Sequence, residues 1–373
     1  MSKKLCIFAN HFMEQNDKPF IIAGPCSVES REQLLAVSEA LCRMPQVRMI
    51  RGGVWKPRTR PGGFEGLGEP ALRWMKEISD SPLRMADGQP VRFCCEVARP
   101  EHVALCQQYG IQTIWLGART TANPFMVEEI SEALRGSDMQ VMVKNPMSPD
   151  VKLWLGAIER LKQVGINHLT AIHRGFSMYR NPRNTTTPTE PSSYRNAPLW
   201  EVPLQLRRAC PDLPLLCDPS HIGGTSQLIE PLSISAMQLE YDGLMVEVHP
   251  HPADALTDGP QQLTPDAFAT LITHLADFLE HQPTSTDARL IPLRQQIDDI
   301  DHELLRLLAQ RMELSKQIAT VKHERQMTVY QVDRWNAVMD DRLQLASQLH
   351  LDADFVKEML NTIHHQSLKV QLD

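Results

Sequence analysis

Leu213-Pro214-Leu215-Leu216-Cys217-Asp218-Pro219-Ser220-His221 opens as a short apolar run and stops at an acid, a proline and a histidine. A buried strand looks like this: four to eight apolar residues bounded by turn formers. The pattern recurs at Pro19–Cys26, Val47–Trp55, Val91–Val97, Thr113–Gly117, Val141–Lys144, His168–His173 and Gly243–His249, so the runs number eight. Amphipathic stretches separate them, among them Glu32–Cys42, Pro100–Tyr109, Pro124–Leu134 and Lys152–Val164. Strand and helix in alternation mean parallel βα units. Eight units in about 270 residues predict a closed (β/α)8 TIM barrel in an α/β fold; a doubly wound open sheet usually needs fewer strands.

The composition changes sharply beyond that region. All 18 glycines fall between Gly24 and Gly259, and only Pro292 of the 27 prolines lies past residue 286. The spacing of Leu290, Leu293, Ile297, Ile300, Leu304, Leu307, Leu308, Met312, Ile318 and Val321 predicts one helix of roughly 33 residues, about 50 Å long. Such a helix cannot bury its stripe within so short a tail, so a second copy of the chain is the expected partner. Two further helices are expected, at about Asp333–Gln348 and Asp352–Val370, with Asp352 as a cap. The expected organisation is a barrel over 1–280, a linker over 281–288 and an all-α three-helix domain over 289–373.

Other classes are disfavoured. Hydrophobic residues are 42% and charged residues 22%, ordinary for a globular chain. No run approaches the roughly 18 apolar residues of a membrane span. The apolar run at the start is shorter than the 7–15 residues typical of a signal peptide, so a cytoplasmic protein is expected. Eight irregularly spaced cysteines read as buried thiols, and a net charge of −7 argues against nucleic-acid binding.

Barrel active sites form where strands end. The residues following the eight runs sort into two sets. Cys26, His221, Glu247 and Asp258 offer one sulfur, one nitrogen and two carboxylates, a mixture suited to Mn, Fe, Co or Zn. Arg51, Lys56, Arg58, Arg119, Lys144 and Arg174 are six cations around one opening, and so many like charges imply a strongly anionic ligand. Singly, each of these residues reads as a buried thiol, a cap or a surface ion pair; together they do not.

Residues 19 to about 280 resemble the 3-deoxy-D-arabino-heptulosonate 7-phosphate (DAHP) synthases. The resemblance is carried by Ala23-Gly24-Pro25-Cys26-Ser27-Val28-Glu29, Lys56-Pro57-Arg58-Thr59, Gly117-Ala118-Arg119, Cys217-Asp218-Pro219-Ser220-His221 and Val246-Glu247-Val248-His249-Pro250. It implies metal-dependent condensation of phosphoenolpyruvate with erythrose 4-phosphate. It makes Cys26, His221, Glu247 and Asp258 the metal ligands. Arg119, Lys144 and Arg174 would bind phosphoenolpyruvate, with Arg51 and Lys56 nearby, and Arg58 and Thr59 would hold the aldose phosphate. Lys56 is a candidate general acid, and Glu96 a candidate for orienting water. The octulosonate 8-phosphate synthases share the barrel but typically carry a Lys-Ala-Asn-Arg-Ser type stretch where this chain has Lys56-Pro57-Arg58-Thr59. The first strand begins so early that no N-terminal regulatory extension is expected.

In the tail, Arg311 and Lys322 are 11 residues apart, on nearly one helix face and about 16 Å apart along the axis. Arg294 lies about 25 Å before Arg311 and some 100° off that face, so it would serve a site across a dimer. The adjacent His364 and His365 point about 100° apart and make no ready ligand pair. Residues 287–373 resemble the all-helical chorismate mutases through Leu293-Arg294, Leu308-Ala309-Gln310-Arg311, Lys322, Asp333-Arg334, Ser367 and Gln371. The resemblance implies an intertwined helical dimer that converts chorismate to prephenate without a cofactor, Arg294, Arg311, Arg334 and Ser367 binding substrate and Lys322 and Gln371 contacting the ether oxygen. Two positions depart from the family: Trp335 replaces a usual Glu and Gln331 a usual Asp. An alternative is therefore a non-catalytic tail that senses prephenate or chorismate and controls the barrel allosterically.

Overall fold

The computed structural model describes residues 19–56, 62–177, 194–281 and 287–372. The chain divides into two compact units, 1–282 and 283–373.

The first unit is a closed barrel of eight strands: β1 (Phe20–Gly24), β2 (Val47–Arg51), β3 (Phe93–Val97), β4 (Thr113–Leu116), β5 (Gln140–Lys144), β6 (Leu169–His173), β7 (Leu215–Cys217) and β8 (Gly243–Glu247). Every strand pairs in parallel with its sequence neighbours, and β8 closes on β1 from Phe20↔Gly243 to Gly24↔Glu247. The expected TIM barrel is the observed one.

Side chains alternate along a strand, so the barrel has two cores. Ile21, Ile50, Cys95, Ile114, Val143, Ala171, Leu215 and Val246 face the surrounding helices. Phe20, Ile22, Met49, Cys94, Trp115, Met142, Ile172, Leu216 and Met245 fill the barrel itself. One step of two residues beyond this inner layer lie Gly24, Arg51, Glu96, Gly117, Lys144, Arg174, Asp218 and Glu247. The alternation that buries the apolar layer therefore delivers a layer of six charged side chains at the C-terminal mouth. The two glycines allow close approach: a Cβ at Gly24 would lie 2.2 Å from the Arg51 backbone carbonyl oxygen, and one at Gly117 2.2 Å from a Glu96 carboxylate oxygen.

The second unit is three helices, Leu290–Glu324, Val332–Gln348 and Ala353–Leu372. The last is capped as expected: Asp352 accepts a hydrogen bond from Phe355 N at 2.7 Å. Its described side chains are mostly unburied. Leu293, Ile297, Ile300, Leu304, Leu307, Leu314, Ile318 and Val321 are each at least 49% exposed. Their spacing alternates four and three residues, with Arg311 filling the step between Leu307 and Leu314, as in a helix seam made for another helix. Among the described residues, no helix is long and apolar enough to cross a membrane.

Candidate functional site

At the barrel mouth, Arg51 is 1% exposed, with one guanidinium nitrogen 3.2 Å from Glu247 Oε1 and 3.4 Å from the Cys26 carbonyl oxygen. Its Nε and other terminal nitrogen are buried without a hydrogen-bond partner among the described residues. Burial works against the charge, but Glu247 and Asp218 outweigh it and hold the guanidinium above its ordinary value. Lys144 Nζ pairs with Asp218 Oδ2 at 2.7 Å, and burial lowers this ammonium despite that partner. Arg51 and Lys144 both lie over the Trp115 ring, 5.0 and 5.6 Å from its centroid. Arg174 is also buried, and burial brings it down to about 10. Buried cations with spare donors make a site for an anion.

The ligand atoms of Cys26, Glu247 and Asp258 all lie within 4.8 Å of one another. The fourth expected ligand, His221, stands beside this group but outside its mutual distances, with Nε2 3.7 Å from Glu247 Oε1. Glu247 Oε1 is buried, and its ion pair with Arg51 lacks hydrogen-bond geometry, so it accepts no hydrogen bond among the described residues. One sulfur, two carboxylates and an adjacent imidazole fit a borderline divalent transition metal. Asp218 and Glu247, both buried, stay ionised: burial would raise them, but His221 with Lys144 holds Asp218 well down and His221 with Arg51 lowers Glu247. Burial pushes the Cys26 thiol up to about 12, so a bound cation is what would make it a thiolate.

The other expected residues fall around this centre. Lys56 Nζ lies 2.9 Å from Cys26 Sγ. Glu96 accepts a hydrogen bond from Trp115 Nε1 at 3.1 Å. Arg119 is exposed on the short helix Ala118–Thr121, close enough to Arg174 to help lower it. Arg58 and Thr59 lie outside the described residues.

Four residues escaped the sequence reading. Asp218 partners Lys144 and His221, Gln261 donates to Glu247 Oε2 at 2.7 Å, and Gln262 accepts from Cys26 N at 3.0 Å. Arg195 reaches Asp258 Oδ1 at 2.9 Å. Asp218 was findable, since it stands two residues past inward-facing Leu216. Gln261 ends the 3-10 turn Gly259–Gln261, Gln262 follows it and Arg195 lies in irregular backbone, where no period announces direction.

In the helical unit, the first and third helices bring four of the expected residues together in two pairs. Arg311 donates to Ser367 Oγ, and Lys322 Nζ donates to Gln371 Oε1 at 3.2 Å and to the Val329 carbonyl oxygen at 2.5 Å. Arg294 and Arg334 are exposed. Trp335 stacks on His364 with ring centroids 3.8 Å apart and planes 13° off parallel.

Comparison with known proteins agrees with this division. Residues 8–281 match the DAHP synthetase I family, and residues 293–372 match chorismate mutase type II. A phospho-2-dehydro-3-deoxyheptonate aldolase of Thermotoga maritima is 30% identical over 255 residues, covering 68% of each chain. A crystal structure from that organism under the same name, also called DAHP synthase, superposes with a TM-score of 0.59 at 28% identity, covering 71% of this chain and 70% of that one. A 2-dehydro-3-deoxyphosphooctonate aldolase of Desulfotalea psychrophila is 43% identical over 272 residues, 68% of this chain and 88% of its own. The chain belongs to the DAHP synthetase I family, and it carries a chorismate mutase type II domain at its C-terminal end.

Proposed function

We propose that the barrel condenses phosphoenolpyruvate with erythrose 4-phosphate, releasing phosphate, and that the helical unit rearranges chorismate to prephenate as a dimer. The observation that carries the first half is Arg51, buried at the mouth over the same Trp115 ring as Lys144, with two nitrogens that have no hydrogen-bond partner among the described residues. These two cations, with Arg174, would hold the carboxylate and phosphate of phosphoenolpyruvate. Arg119 would close on the same anion from the surface, and Arg58 and Thr59 would hold the aldose phosphate. Holding two mutually repelling anions close together is itself a large part of the catalysis.

Cys26, His221, Glu247 and Asp258 would hold a divalent metal, which supplies Lewis-acid polarisation of the aldehyde when bound. Lys56, 2.9 Å from Cys26 Sγ, would deliver a proton to the oxygen of the aldehyde as the new carbon–carbon bond forms. Glu96, steadied by Trp115, would orient the water that adds to the carbon bearing phosphate.

In the helical unit, Arg311 with Ser367 would take a substrate carboxylate, and Lys322 with Gln371 the ether oxygen whose charge grows in the transition state. The unburied four-three stripe of Leu290–Glu324 supports a second copy as its cover, which would also bring Arg294 and Arg334 to a shared site.

Phosphate release from phosphoenolpyruvate, measured with erythrose 4-phosphate and with arabinose 5-phosphate, tests the acceptor. The resemblance to an octonate aldolase gives the second sugar its place. Faster turnover with arabinose 5-phosphate would replace this reading of the barrel.

A further inference from the structure

We propose that His364, held flat against Trp335, is a substrate-positioning residue of the helical unit and that its Nε2 takes the ring hydroxyl of chorismate. The inference rests on the mutase reading above.

His364, Ser367 and Gln371 stand at i, i+3 and i+7 of the helix Ala353–Leu372, and therefore on one face. Ser367 meets Arg311 and Gln371 meets Lys322. His364 is the next turn of that row, and Arg311 and Lys322 both act electrostatically on it. Its Nε2 is shielded from solvent yet has no hydrogen-bond partner among the described residues. A buried, unpaired nitrogen costs stability unless something binds it.

Trp335 fixes the plane of the ring, and Tyr330 flanks it at 5.8 Å. The ring thus offers one shielded polar atom and little freedom. Burial, helped by Arg311, Lys322 and His365, lowers the imidazole, so it stands neutral among cations. Chorismate carries two carboxylates, an ether oxygen and one ring hydroxyl. The carboxylates suit the arginines, and the ether oxygen suits Lys322 and Gln371. A neutral imidazole, which gives or accepts one hydrogen bond, suits the hydroxyl.

The test uses the full-length chain, the variants His364→Phe and His364→Gln, and two probes: chorismate and a chorismate analogue lacking the ring hydroxyl. His364→Phe keeps an aromatic ring against Trp335 and removes only the polar edge. KM for chorismate is expected to rise about tenfold, with kcat changed much less, while the inhibition constant of the deoxy analogue stays within twofold. His364→Gln, which restores a donor and acceptor, is expected to recover part of the loss. Circular dichroism confirms that both variants keep their helices. An unchanged KM, or an equal loss of affinity for both probes, would overturn the inference. If a variant loses its helices, the unmutated chain decides: equal affinity for chorismate and the deoxy analogue would overturn it as well. An unmutated chain that neither turns over nor binds chorismate would overturn the mutase reading and this inference together.

Discussion

Asp218 Oδ2 lies 2.8 Å from Nδ1 of His221, three residues further along the same turn. The carboxylate thus sits against the Nδ1 edge of the imidazole and leaves Nε2 on the side of Glu247, 3.7 Å from Oε1. The same oxygen pairs with Lys144 at 2.7 Å. Asp218 therefore joins the two chemical sets at the mouth, orienting a candidate metal ligand while holding a candidate anion-binding cation.

Asp218→Asn is expected to weaken metal binding about 10- to 100-fold, because an oriented ligand loses its support. It is also expected to lower the thermal midpoint, since Lys144 is left buried without its partner. Calorimetric metal titration and thermal unfolding check the two effects. Unchanged metal affinity would remove His221 or its orientation from the account.

Arg51→Lys keeps the charge but discards the fork of donors. Loss of one or two charge-assisted hydrogen bonds, each about 1.5–3 kcal/mol, predicts a 10- to 100-fold or greater rise in KM for phosphoenolpyruvate. The KM for the aldose phosphate is expected to change far less. An equal rise in both would indicate general collapse of the mouth.

His173 gives the pH dependence of stability. Burial depresses its folded value to about 3, below an unfolded value of about 6.5. Above pH 6.5 the histidine is neutral in both states and carries no penalty. As pH falls from 6.5 towards 3, only the unfolded chain takes up the proton, so stability drops by up to about 1.4 kcal/mol per pH unit from this group. Tyr241 Oη lies 3.0 Å from His173 Nδ1, so His173→Gln is the mildest replacement. Denaturant unfolding of wild type and variant at pH 7 and pH 5 is expected to show a smaller loss in the variant. Equal losses would contradict the assignment.

The unburied stripe predicts that Ile300→Lys and Leu304→Lys separate the copies of the chain. Sedimentation of the wild type should give at least a dimer, and each variant a smaller species with less mutase activity. A wild-type monomer with full mutase activity would contradict this part of the account.

The barrel was legible because its signals are periodic. Each run alternates between two burials, and the next inward position carries the chemistry, so Met49 leads to Arg51, Met142 to Lys144 and Met245 to Glu247. Strand ends were less legible. Leu213–Cys217 reads as one run, but Pro214 supplies no N–H to the ladder, and the strand begins at Leu215. Val91–Val97 likewise shortens to Phe93–Val97. The helical unit was legible from its leucine spacing, whereas the Trp335–His364 stack joins two helices and has no local signature. Arg195, Gln261 and Gln262 are placed by tertiary contacts that no single stretch of sequence contains.

One chain would thus carry two separable chemistries. The most direct test is a single preparation assayed twice: phosphoenolpyruvate consumption with erythrose 4-phosphate, and chorismate consumption followed by ultraviolet absorbance. Both activities are expected in the unmutated chain, a fall in the first alone at sub-saturating phosphoenolpyruvate in Arg51→Lys, and loss of the second alone in Arg311→Ala. Chorismate left unconsumed by the unmutated chain, while prephenate still binds, would contradict this reading and make the helical unit a sensor.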